Sequence, residues 1–103
     1  MAADYSNSLI KAYNATSIAA ETVVAPSTTR QRYRIFTMTV ASSAAGNIVF
    51  RDGVAGPVII VVPSQTNVAT YIDLGDGVFT TRGNALTVQG PGNISGTILG
   101  AIE

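Results

Sequence analysis

The chain has 103 residues with six basic and six acidic side chains, so its formal net charge is zero and its pI lies near 6.1. That length holds one domain with one core, and the zero balance excludes the basic field that general nucleic-acid binding needs. The absence of Cys and His excludes disulfides, thiolate metal sites and the nucleophilic triads that use imidazole as base.

Charged residues make up only 12% of the chain, about half the usual share. Thr, Ser, Asn, Gln and Gly must therefore supply most of the polar surface. A small neutral domain favours association over colloidal repulsion, which predicts an oligomer or a subunit docked on something larger.

Residues 1–8 read as a polar arm with one aromatic, Tyr5, which orders when a partner holds it. The stretch has neither a basic leader nor an apolar run fit for a signal peptide. Leu9 to Tyr13 is the first strand candidate and Asn14-Ala15-Thr16-Ser17 a turn. Glu21 to Ala25 is a second strand stopping at Pro26, and Ala12 to Val24 leaves room for one helical turn. The chain is organised around Tyr33 to Ala41, a β-branched and aromatic run suited to a pleated surface. Its even positions, Arg30 to Val40, change from charged to apolar along the strand. Either a bulge near Ile35 and Phe36 exchanges the faces, the preferred reading, or both faces are covered at the Phe36 end.

Ser42 to Asn47 is a turn, and Ile48-Val49-Phe50 returns as a strand ended by Asp52-Gly53. Val58 to Val62 is continuously apolar, which predicts burial on both faces or a sealed edge, and Pro63 ends it. This run is far shorter than the ~20 residues of a membrane span. Val68 to Leu74 alternates, with Val68, Thr70, Ile72 and Leu74 toward the core, and Leu74-Gly75-Asp76-Gly77 is a turn. Val78 to Thr81 and Ala85 to Gln89 flank a bend at Arg82-Gly83-Asn84, and Ile94 to Ile102 closes the chain. About eight short strands at this spacing predict an all-β fold, one small antiparallel β-sandwich over residues 9–103.

Asp52, Asp73 and Asp76 are the only internal carboxylates near one another, and they read as turn residues rather than a glycosidase pair. Asp73 and Asp76 in a glycine turn lack the further oxygens a calcium loop needs. Gly75-x-Gly77 and Gly90-x-Gly92 have no helix start or Lys-Ser/Thr behind them, so neither is a phosphate loop. Four tyrosines without Trp make no persuasive sugar-stacking platform. Arg30, Arg32 and Arg34 alternate on one face, either to meet a partner's carboxylates or to keep a strand end solvated.

From Ile10 to Ile102 the chain resembles small β-sandwich virion proteins of tailed bacteriophages, many of them capsid decoration or cement proteins. The matching elements are VVAP (Val23 to Pro26), RYRIFTMTV, SAAGNIVFRDG, GDGVFTTRGNALTV and the closing ISGTILGAI, in the same order and spacing. The family has Gly-Lys leading into the central strand where Thr29-Arg30-Gln31-Arg32 stands here. The resemblance implies a jelly-roll-like sandwich, no enzyme activity and no cofactor. It also implies a homotrimer that binds the major capsid protein on the capsid exterior, assembled in the host cytoplasm, without contact to nucleic acid or membrane. The candidate partner contacts are Tyr5, Arg30, Arg32, Arg34, Phe36 and Met38. Alternative roles on the same fold are a tail, neck or fibre component and a carbohydrate-binding module.

Overall fold

A computed structural model describes residues 8–15, 22–25 and 28–103. Tyr5 lies outside them, as do residues 1–7 of the arm and residues 16–21 of the segment with the expected helical turn, whose described ends are strand. The described residues are all-β, with strands β1 (Ser8–Ala15), β2 (Thr22–Ala25), β3 (Tyr33–Ser42), β4 (Gly46–Asp52), β5 (Val58–Ser64), β6 (Thr70–Phe79), β7 (Leu86–Gln89) and β8 (Ile94–Ile102). They form two four-stranded antiparallel sheets in the orders β1-β8-β3-β6 and β2-β7-β4-β5. Apart from the β4–β5 hairpin, successive strands lie in opposite sheets. The first strand pairs with the last, the second with the seventh, the third with the sixth and the fourth with the fifth, as in a long antiparallel ribbon rolled on itself.

The core lies between the sheets, where period-2 alternation points one residue in two inward. Ile48 and Phe50 on β4, Leu86 and Val88 on β7, Met38 and Val40 on β3, and Ile94 and Ile98 on β8 are all buried there. Each such side chain contributes about 1.5–3 kcal/mol by leaving water.

The bulge expected in β3 is present. Both of its ladders shift between Ile35 and Thr37, so Phe36 is an extra residue. Before it Tyr33 and Ile35 are buried, and after it Met38, Val40 and Ser42 are. Opposite Phe36, strand β6 makes a larger excursion: Val78 pairs with Ile35 and Asp73 with Thr37, leaving residues 74–77 to oppose one residue. Leu74-Gly75-Asp76-Gly77 is thus an outward swelling within one strand rather than a turn between two. Val68, expected in the core, precedes β6 and is exposed, whereas Ile72 and Leu74 pack against the core as expected. Asn14 and Ala15, expected in a turn, continue β1.

Strand β5 is an edge strand, so it alternates between exposed and buried instead of being covered on both faces. An edge also explains why the strand runs through Pro63 to Ser64: a residue without an N–H fits where one side of the ladder has no neighbour. Two of the other three edges are interrupted too. Strand β6 has its swelling, and β2 is four residues long with a register shift between Val23 and Ala25. Proline, bulges and shortness are devices that stop sheets from adding strands.

Candidate partner interface

Tyr33 begins β3 with its N–H donated to Thr80 Oγ1 (2.9 Å), and the arginines on either side emerge at one end of the sandwich. Arg32 and Glu103 exchange two backbone hydrogen bonds of 3.0 Å, which carries the β3–β8 ladder one pair further. This sets the Glu103 carboxylate between two guanidiniums. Arg32 Nε donates to Oε1 at 2.9 Å and Arg34 Nη2 lies 3.1 Å from Oε2. Phe79, opposite Arg34 in the ladder, lies beneath both cations, with ring centroid distances of 4.3 Å to Arg32 Cζ and 4.7 Å to Arg34 Cζ. Arg82 Nη1 donates to the carbonyls of Arg30 and Glu103, each at 2.9 Å.

Gly77, at φ +107°, makes room for this assembly because a Cβ there would overlap the Arg34 side chain. Glycine is the residue that tolerates both demands.

Arg30, Arg32 and Arg34, read as either meeting a partner's carboxylates or keeping a strand end solvated, do not form one ladder. Arg30 belongs to a turn before β3, and Arg32 and Arg34 already hold a carboxylate of their own chain. Phe36 and Met38 are also corrected as partner contacts, being 2% and 1% exposed within the subunit. The bulge turns Met38 inward, and Phe36 is buried at the bulge itself. Sequence reading missed Phe79 and Glu103, since only the pairing of β3 with both β6 and β8 brings them to the arginines.

This brace is a modest stabiliser because its charges are partly solvated. Replacing Glu103 by Gln is expected to cost about 0.5–1.5 kcal/mol at low salt. The difference should shrink by at least half at about 1 M salt, where the Debye length falls to about 3 Å. Chemical denaturation at the two ionic strengths measures it, and a salt-independent difference would show that the ion pairs contribute nothing.

The acidic residues have local tasks. Asp73 Oδ1 accepts the Gly75 N–H at 2.9 Å, shaping the β6 swelling. Asp52, only 9% exposed, accepts three hydrogen bonds: Thr81 N–H (2.8 Å) and Asn84 Nδ2 (3.1 Å) on Oδ1, and Thr81 Oγ1 (2.6 Å) on Oδ2. Burial pushes its pKa up, but the bonds from Thr81 and Asn84 outweigh burial and hold it below the ordinary carboxylate range. This carboxylate ties the end of β4 to residues 80–85. No group of three or more acidic side chains stands together among the described residues.

The two outer faces differ in chemistry. On the β2-β7-β4-β5 sheet, register places Val49 beside Val61 and Arg51 beside Val58, with Pro63 next in line. Val58 and Val61 are 45% and 50% exposed, and Val23 on the far edge strand is 46% exposed. Arg51 is the one charged residue of that face among the described residues, and its Nη1 donates to the Gly56 carbonyl at 3.2 Å. The β1-β8-β3-β6 face instead presents Thr37, Thr39, Tyr71, Asp73, Ser95 and Thr97.

No family model, curated protein or solved structure matches this chain.

Proposed function

We propose that the chain is a non-enzymatic structural protein of a tailed-phage virion, a decoration subunit that settles on the outside of the head and braces contacts between major capsid proteins. The observation that supports this reading is the valine face of the β2-β7-β4-β5 sheet. Exposed apolar patches mark interaction sites, and interface centres are poor in charge. The sandwich measures 35 × 25 × 19 Å, so its broad face matches the roughly 800 Å² per partner that a stable interface buries. With three of the four sheet edges interrupted, association proceeds through faces rather than by strand addition, both in the homotrimer and on the shell. Each bound subunit stabilises the assembled shell over the dissociated one by mass action.

Two measurements test this. Cryo-electron microscopy of the particle is expected to show hundreds of copies on the head with the valine face toward the shell, and light scattering should return three times the 10.6 kDa chain mass. A handful of copies at the tail, or the hydroxyl-rich face against the shell, would refute the reading. Val61→Asp is expected to abolish decoration while changing subunit stability by less than about 0.5 kcal/mol, as for other exposed sites.

A further inference from the structure

We infer that the outer face of the β1-β8-β3-β6 sheet is a binding site for an uncharged sugar unit. The inference is independent of the virion reading, since it concerns the opposite face and stands wherever the protein resides.

A shallow depression of about 360 Å³ lies on this face, with Thr39, Ala41, Ala69, Ser95 and Thr97 along its lining. The volume falls at the small end of ligand sites, about 300–1,000 Å³. Tyr71 pairs directly with Thr39, which pairs in turn with Thr97, so the three form one row across β6, β3 and β8. Directly opposed residues have Cβ atoms about 5 Å apart, which places the ring within reach of a molecule seated in the depression. Tyr71 is 65% exposed.

Three features of this patch select the ligand. The tyrosine presents a flat apolar face, which suits the C–H face of a pyranose ring and is wasted on a fully polar ion. Thr39, Thr97 and Ser95 are exposed, and their hydroxyls offer both donors and acceptors, the pairing a polyhydroxylated molecule needs. The Ala41 and Ala69 side chains are too small to obstruct a ring. Asp73, one row along the face and paired with Thr37, has Oδ1 engaged by Gly75 N–H and Oδ2 left to accept a sugar hydroxyl, a charge-assisted bond. No basic residue joins these positions, which disfavours phosphate, sulfate or a uronic acid. Along the sequence the four tyrosines are scattered, and only the β3–β6 register sets one of them beside three hydroxyls.

The site is open, so a single sugar should bind with a Kd on the order of 1 mM. Many copies on one surface would raise the apparent affinity by multivalency.

The test is a nuclear magnetic resonance titration of the ¹⁵N-labelled protein with the methyl glycosides of glucose, galactose, mannose and N-acetylglucosamine, each to about 20 mM. At least one is expected to shift the amide signals of Thr39, Ala41, Ala69, Tyr71 and Thr97 in a saturable way. Tyr71→Ala should weaken that binding on the order of tenfold, Tyr71→Phe should retain it, and the unperturbed remainder of each spectrum shows that the variants are folded. The inference is overturned if none of the four shifts these signals, if the shifts map elsewhere, or if Tyr71→Ala binds as the parent does.

Discussion

Inserting one alanine between Thr37 and Met38 is expected to abolish cooperative unfolding altogether. The bulge is the only reason why both halves of β3 can bury their apolar residues: upstream the inward set is Tyr33 and Ile35, downstream it is Met38, Val40 and Ser42. The bulge already absorbs the one extra residue, Phe36, so a further residue beyond it forces one half to turn over, because a one-residue slip exchanges faces. Either Tyr33 and Ile35 go to solvent while Arg34 enters the core, or Met38 and Val40 leave it. An uncompensated buried guanidinium costs several kcal/mol, and each expelled side chain forfeits about 1.5–3 kcal/mol. Against a total stability of about 5–15 kcal/mol for a domain of this kind, neither alternative leaves a defined native state. Phe36→Ala is the control: it keeps the residue count, and it should lower stability by about 3–5 kcal/mol while leaving a single transition. Calorimetry on both variants decides the matter, and an insertion variant melting sharply near the parent temperature would mean that the bulge does not set the register.

The second large effect is expected at Asp52. Asp52→Ala removes the acceptor for Thr81 N–H, Thr81 Oγ1 and Asn84 Nδ2 together. With hydrogen bonds to a charged group contributing about 1.5–3 kcal/mol each, partly recovered by water, a net loss of about 3 kcal/mol is expected in denaturant titrations. Because the carboxyl pKa is lowered in the folded protein, protons bind the unfolded chain more readily. The associated stability is fully present above the ordinary carboxylate range and is lost as the pH falls through the depressed folded value. Stability of the parent should therefore drop on acidification below about pH 4, and Asp52→Asn should flatten that acid limb while remaining less stable near neutral pH. An identical acid limb in the two proteins would show that another group sets it.

Much of the fold is legible in the sequence because alternation and turn residues agree. The central strand, its bulge and the closing strand Ile94–Ile102 follow from β-branched runs bounded by glycine, asparagine and proline. What misleads is the assumption that glycine always turns the chain. Leu74-Gly75-Asp76-Gly77 contains two glycines at positive φ, yet it stays within β6 as a swelling, because β3 and the core hold both of its flanks. Pro63 misleads in the same way, since only its place on an edge makes it compatible with a strand.

The arginine cluster shows the other limit. Alternation correctly puts Arg32 and Arg34 on one side of β3, but charge alone does not say who answers it. The answer comes from Glu103, 69 positions beyond Arg34 in sequence and brought near by β3–β8 pairing. Likewise Tyr71 means little until register supplies its neighbours.

Most soluble proteins keep apart by shared charge, and this one has none to share. The interruptions along three of its four sheet margins supply a steric substitute. Copies can be crowded side by side without zipping into fibrils, and that protection persists at any salt concentration, where repulsion between like-charged molecules would fade.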